Sequence, residues 1–559
     1  MIRHDLPNRL DWFIAVLVFA TTLGVLLATM NIGFTRDETF YFHAANQYIG
    51  WFEQLWVNLT NGQLAQSFTK SNIDAHWSYN PEHPVLMKAL FALTHKLFFE
   101  KLAWMSESTA FRLPGAVSAS ALVALVFVWG RELGGRWAGG IAAAALILQP
   151  RFFFHAHMAC FDVPVTFFWF AVVYAYWRSF ESKRWIVFAG ILWGLALSTK
   201  LNAFFLPFVL GGHWVVANAR LIGRDDQQKW RFPKFPWVFA SMLVFGTTLF
   251  FALWPRHWFD TVARVKWYLD FHLKHVHYFV DYFGQNLQHP PFPVSFPWVM
   301  TLVTVPATIL VAGGLGAAMW WLSFHPKETL QRWIGDWQAR AWYSPSTNMQ
   351  LGLLFFINIV FPIALISMPD TPVFGGTKHW MPAMPFLAIL AGLGCVWSAQ
   401  RLRFDGMRQH AAVAAAALAL TVPALLQAAH IHPFGTGYYN EFIGSVRGAA
   451  DAGMMRQFWG YASRQSLPWL NEHATERAGV FTHNTTGGAW AEYRKEGLVR
   501  KDLRPVGLAA SQYALFHHQK AFGYIQIELW DDYGNQAPVH VVGVDGVPYL
   551  SVYERKVRK

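Results

Sequence analysis

Long apolar runs separated by short basic loops set the pattern from residue 12 to about residue 430, and a mixed polar pattern replaces it from there on. An apolar helix of about 20 residues is long enough to cross the hydrocarbon core of a bilayer. Spans are therefore expected at 12–32, 111–130, 137–153, 163–178, 185–199, 201–219, 237–254, 297–322, 350–368, 381–398 and 410–429. Pro84–Phe99 is also apolar, but it is short and carries Lys88, His95 and Lys96, so it is expected to skim the surface. Parity favours this assignment. With Arg3 and Arg9 inside, eleven spans put Arg131 and Arg136 on the inner side. Arg178, Lys183 and Arg184 follow on that side, then Arg220, Arg224, Lys229, Arg231 and Lys234. Lys327, Arg332, Arg340, Arg401, Arg403 and Arg408 complete the set. A crossing at 84–99 would reverse every later loop.

The expected class is a polytopic α-helical membrane protein, about 11 transmembrane helices over 1–430, with a small C-terminal α/β extramembrane domain at 431–559. Outer loops are expected at about 33–110 and 255–296, with amphipathic helices. In the last part, strands are expected at Gly479–Thr482, Tyr513–His517, Val539–Val544 and Tyr549–Tyr553, with Asp545-Gly546-Val547-Pro548 as a hairpin turn. Helical patterns lie near 448–474 and 505–512.

Composition agrees with the membrane pattern. The chain is 54% hydrophobic and 14% charged, where soluble domains carry about 25% charged residues. The net charge of +12 sits in short loops between apolar runs, which is a membrane signature rather than a nucleic-acid one. Cys160 and Cys395 lie at separate spans and imply no disulfide framework. No GxGxxG loop, CxxC pair or HExxH motif is present.

The topology gathers polar residues on the outer side. Asp37 and Glu38 follow the first span, and Glu82 and His83 precede the skimming helix. Asp162 begins one span, Lys200 ends another, and Lys378 with His379 opens a third. Arg256 and the run His272 to His277 lie in the 255–296 loop. Each feature has a plain structural alternative. Thr35 or Asp37 can cap a helix with Glu38 in its first turn. Lys200 and Lys378 can snorkel at the interface. The histidine run can be one face of a solvated helix, and His272, Lys274 and His275 do not all share a face. Asp162, alone among Phe, Cys, Val and Pro, needs a partner. Taken together, the set suits group transfer from a lipid phosphate. A carboxylate takes a proton from an acceptor hydroxyl, cations neutralise the departing phosphate, and carboxylates with histidines can hold a divalent ion.

Several stretches resemble the GT-C glycosyltransferases, in the branch of protein O-mannosyltransferases and aminoarabinose transferases. They are Asp37-Glu38 after the first span, Cys160-Phe161-Asp162-Val163-Pro164, the segment ending Ser198-Thr199-Lys200, and Lys378 to Gly392. His432-Pro433-Phe434 through Tyr438-Tyr439-Asn440-Glu441 and Phe458-Trp459-Gly460 extend the likeness. The resemblance implies a bacterial inner-membrane enzyme with a polyprenyl-phosphate sugar donor, a protein or lipid/glycan acceptor, and a C-terminal domain in the periplasm. It implies Asp37 as catalytic base, with Glu38 and Asp162 as partners in the acceptor or metal site. It implies Lys200 and Lys378, with His379 and Arg256 nearby, as phosphate contacts. It also implies a possible divalent metal ion held by Glu82 with His275 or His277. The chain departs from the family pattern where Lys-Pro-Pro-Leu becomes His83-Pro84-Val85-Leu86, and where the arginine before His379 becomes Lys378. The competing expectation is a transporter or flippase of lipid-linked sugars. Its ionisable residues would lie mid-membrane between inverted repeats, and this sequence shows neither feature.

Overall fold

The computed structural model describes residues 6–218, 223–224, 230–231, 235–324 and 347–556. Arg220, Lys229, Lys234, Lys327, Arg332 and Arg340, assigned to the inner side from sequence, lie outside the described residues. Among the described residues, six helices are long and apolar enough to cross a membrane, and a bent pair adds a seventh if counted as one span. The protein is a multi-pass helical membrane protein. Arg184–Leu197 and Trp237–Leu253 are shorter apolar helices, and Asp162–Ser179 is helical throughout.

Two of the expected spans form a hairpin. Helical residues from Glu107 to Ile147 are interrupted at Gly135, which has φ 82° and ψ 176°. There the chain doubles back. A Cβ on Gly130 would stand 3.1 Å from Gly139 Cα, and one on Gly139 would stand 2.5 Å from the carbonyl oxygen of Phe127. Only glycines permit two backbones so close. Asp11 closes the end of this hairpin against the first helix, Arg9–Ala28, pairing with Arg131 and Arg136 at 2.7 Å each.

The expected continuous span 297–322 is instead Phe296–Thr304 followed by Ala307–Leu322, bent by 111°. Pro306 has no N–H to continue the first helix, and it pushes Val305 out of helical geometry. The carbonyls freed by the break are met from outside. Asn440 Nδ2 donates to Leu302 O and Val305 O at 2.7 and 2.6 Å, and Asn440 N–H donates to Val303 O.

Pro84–Phe99 forms Leu86–Thr94 and a looser turn His95–Lys101. The C-terminal region builds a five-stranded sheet in the order Arg504–Pro505, Gly479–Phe481, Tyr513–His517, Val547–Glu554, His540–Val544. Its first three strands are parallel and the last two antiparallel. Val544 pairs with Val547 across Asp545-Gly546, whose φ values of 53° and 79° suit a type I′ turn. The helix expected over 448–474 is broken into Ser445–Asp451, a 3-10 turn Tyr461–Ser466 and Leu467–His473, interrupted by the left-handed residues Gly453, Trp459 and Gly460. The helix expected over 505–512 is an edge strand and a short turn, because Pro505 and Gly507 disfavour helix there. Helices Gly487–Lys495 and Gly523–Tyr533 were not apparent from the pattern.

The sheet region is seated on the start of the second helix, Arg36–Thr60. Phe34 N–H donates to the Tyr493 hydroxyl at 2.9 Å, and Arg464 donates to Ile32 O at 2.9 Å. Gly33 fits because a Cβ there would lie 2.0 Å from the carbonyl oxygen of Tyr461.

Candidate functional site

The site is assembled where five chain breaks meet: the start of Arg36–Thr60, the turn at 80–84, the bend at 157–162, the break at 198–200 and the turn Gly375–Trp380. Each break leaves backbone groups outside a helix, and each places a polar side chain at a helix end. Leu86 N–H donates to Ser198 O at 2.9 Å, tying the second and fourth breaks together.

Asp37 lies in the first turn of Arg36–Thr60, beside the backbone N–H groups at the helix start. Its nearest cation is Lys378, with Nζ 3.9 Å from Oδ2, and its side chain keeps 29% exposure. Lys378 is buried by aromatic rings, 4.8 Å from the Phe374 centroid and 4.9 Å from that of Trp459. The adjacent Gly375 and Gly376, both left-handed, let this turn fold tightly around the lysine.

Asp162 is buried and pairs with Lys200, Nζ to Oδ1 at 2.6 Å. Cys160 Sγ donates to its other oxygen at 3.0 Å, and His155 Nδ1 stands 3.7 Å from that oxygen. Lys378 also lies within electrostatic reach of Asp162. Asp37, Asp162, Lys200 and Lys378 therefore belong to one constellation. Tyr41, one turn after Asp37, packs between Phe161 and His83 at 4.4 and 5.6 Å. Burial, with Asp37, Cys160, Asp162 and Glu82 nearby, pushes its hydroxyl well above the usual range, so it remains a donor.

Glu38 occupies a different place from the one expected beside Asp37. It is fully buried, and Arg112 grips it with Nε at 2.8 Å and Nη2 at 2.9 Å. Thr35 N–H, the Thr35 hydroxyl and Ala159 N–H also donate to it, at 3.0, 3.1 and 3.0 Å. Its carboxylate is saturated and faces the protein interior. Charge-assisted, bidentate geometry of this kind fixes position rather than supplying an open reactive group.

The expected metal ligands do not converge. Glu82 accepts from Asn80 Nδ2. His275 Nδ1 bonds to Val276 O at 2.7 Å while its ring stacks on Phe374. His277 packs against Phe292. Among the described residues no three His, Cys, Asp or Glu side chains gather as a cation site. His272, rather than its neighbours, reaches the 80–84 turn, with Nε2 2.9 Å from Glu82 O. Arg256 donates to Ser78 Oγ at 3.1 Å and lies over Trp267, and His379 meets Phe374 edge-on at 4.7 Å.

His83 is a neutral ring: burial, with Lys88, Lys200, His272 and Lys378 around it, holds its pKa well below the usual range. A cation does support this turn from behind. Lys88 Nζ donates to Asn80 O at 2.7 Å and His83 O at 2.9 Å. Burial pulls Lys88 down to about 7. Arg112, Trp459, Phe374, Tyr41 and Lys88 are residues to which sequence reading gave no role in the site. Arg112 carried a signal, as a lone arginine at the start of an apolar run, and such a residue requires a partner.

Residues 82–254, just under a third of the chain, match the family described as dolichyl-phosphate-mannose-protein mannosyltransferase. The matched segment includes His83, Lys88, Arg112, Asp162 and Lys200, while Asp37 and Lys378 lie outside it. No curated protein matches the sequence. Among solved structures the chain is similar to ArnT from Cupriavidus metallidurans in the apo state. That likeness has 13% identity and a TM-score of 0.44, over 97% of this chain and 96% of that one. It is also similar to the apo oligosaccharyltransferase of Archaeoglobus fulgidus, with 12% identity and a TM-score of 0.45, over 86% of this chain and 63% of that one.

Proposed function

We propose that this protein transfers a sugar from a polyprenyl-phosphate donor to an acceptor hydroxyl, on the periplasmic side of a bacterial inner membrane. The observation that carries this reading is Asp37. It is a partly exposed carboxyl group beside the Lys378 ammonium, at the edge of the Asp162–Lys200 pair. The mannosyl-transfer family match over 82–254 supports a lipid-phosphate donor.

In this mechanism Asp37 takes the proton of the acceptor hydroxyl as its oxygen attacks the anomeric carbon. The new C–O bond forms as the bond from that carbon to the phosphate oxygen breaks. The polyprenyl phosphate leaves with the electron pair, and its charge is met by Lys378 and Lys200. A single displacement inverts the anomeric centre. Asp162 holds Lys200 at the phosphate, and Glu38 with Arg112 fixes the helix start that carries Asp37. Arg256 and His379 flank the donor side.

The test is purified protein in lipid nanodiscs, given a panel of polyprenyl-phosphate hexoses and pentoses with candidate acceptors. Release of free polyprenyl phosphate with sugar transfer is expected for at least one pair. Movement of an intact lipid-linked sugar across the bilayer, with no transfer on any donor, would replace this reading with the transporter one.

A further inference from the structure

Trp459 lies in the C-terminal region by sequence, yet its ring packs among the residues of the site. The ring covers the Lys378 ammonium together with Phe374 and meets His155 edge-on at 5.5 Å. Its carbonyl accepts a hydrogen bond from Arg36 N–H at 3.2 Å, one residue before Asp37. The same residue thus touches Lys378 and the backbone one residue before Asp37.

The backbone at this point is strained and held. Trp459 has φ 64° and Gly460 φ 67°, and a bulky residue in the left-handed region persists only where its surroundings fix it. The fixing comes from the sheet region. Gly460 O accepts from His517 Nε2 at 3.1 Å and from Thr485 Oγ1 at 3.4 Å. A Cβ on Gly460 would lie 2.2 Å from the carbonyl oxygen of Asn484, so this contact also requires glycine. A lysine side chain has wide rotamer freedom, and burial between two rings removes it.

We propose that Trp459 is a positioning residue. Its ring, with Phe374, clamps Lys378 so that the ammonium stays between Asp37 and Asp162. Through the 458–460 segment the C-terminal domain becomes a working part of the site. The catalytic consequence rests on the transferase reading; the clamp itself is a statement about Lys378.

The experiment uses the full chain in nanodiscs with Trp459→Leu, Trp459→Phe and fluorinated tryptophans placed at 459. The fluorinated side chains keep the ring's shape and weaken its attraction for a cation, so they report even where Trp459→Leu fails to fold. Acylation of the Lys378 amine, followed by mass spectrometry, is expected to quicken in Trp459→Leu and stepwise with fluorine number, and to stay near wild type in Trp459→Phe. An unchanged Lys378 rate across the series overturns the clamp, whatever the turnover. Where the wild type transfers sugar, kcat is expected to fall by about tenfold in Trp459→Leu, the size of one desolvated cation–π contact, at nearly constant donor KM. A flat kcat with a changed acylation rate overturns the catalytic consequence. A wild type inactive on every donor counts against the transferase reading, and the acylation rates then decide the clamp alone.

Discussion

Arg112 grips Glu38 in a fully buried, bidentate ion pair that joins the start of Arg36–Thr60 to the first turns of the helical hairpin. Arg112 also donates to Ile32 O and Gly33 O, at 3.3 and 3.1 Å. The pair therefore fixes the backbone on both sides of Thr35. Asp37 points into the site because its neighbour is anchored in the core.

Removing one partner leaves the other charged and unpaired in the interior. Glu38→Ala or Arg112→Ala is expected to destabilise the fold by about 3–5 kcal/mol. Thermal unfolding in detergent, read together with protein yield, measures this. A loss under about 1 kcal/mol, within the range of an exposed pair, would show that the contact is not buried in the folded protein.

A second substitution separates the roles of Asp162 and Lys200. Lys200→Met strands a buried carboxylate, whereas Asp162→Asn with Lys200→Met removes both charges. The double variant is expected to recover most of the thermal stability lost by Lys200→Met while remaining defective in transfer. Equal, additive losses in stability would contradict the 2.6 Å pairing.

Acid stability reports on the loop helices. Arg264 first, with Lys70, holds the Asp74 carboxyl down at about 2. A depressed acid of this kind contributes stability above its unfolded pKa of about 4 and loses it as pH falls toward 2. Asp74→Asn is expected to lower the melting temperature at pH 7 and to flatten its decline between those pH values. Parallel pH profiles for the two proteins would remove Asp74 from the acid transition.

Much of the membrane region was legible because apolar length and basic loops are local signals. Pro306 marked a break that a hydropathy reading passed over, since apolar residues continue on both sides of it. In the sheet region, Asp545-Gly546 announced its turn, while Gly487–Lys495 lacks the apolar periodicity of a recognisable helix. Within the site, Asp37, Asp162, Lys200 and Lys378 were legible as charges at span ends. Glu38 was misplaced because its partner Arg112 lies 74 residues away, and sequence spacing gives no sign of such a contact. Trp459 was hidden for the same reason: its partners come from 36, 155 and 378.

The most direct test of the account is the turnover of Asp37→Asn against wild type, at saturating donor, in protein of equal thermal stability. Loss of the base is expected to lower kcat by about 10²–10⁴-fold with donor binding retained. Wild-type turnover in Asp37→Asn would contradict the assignment of Asp37 as the base.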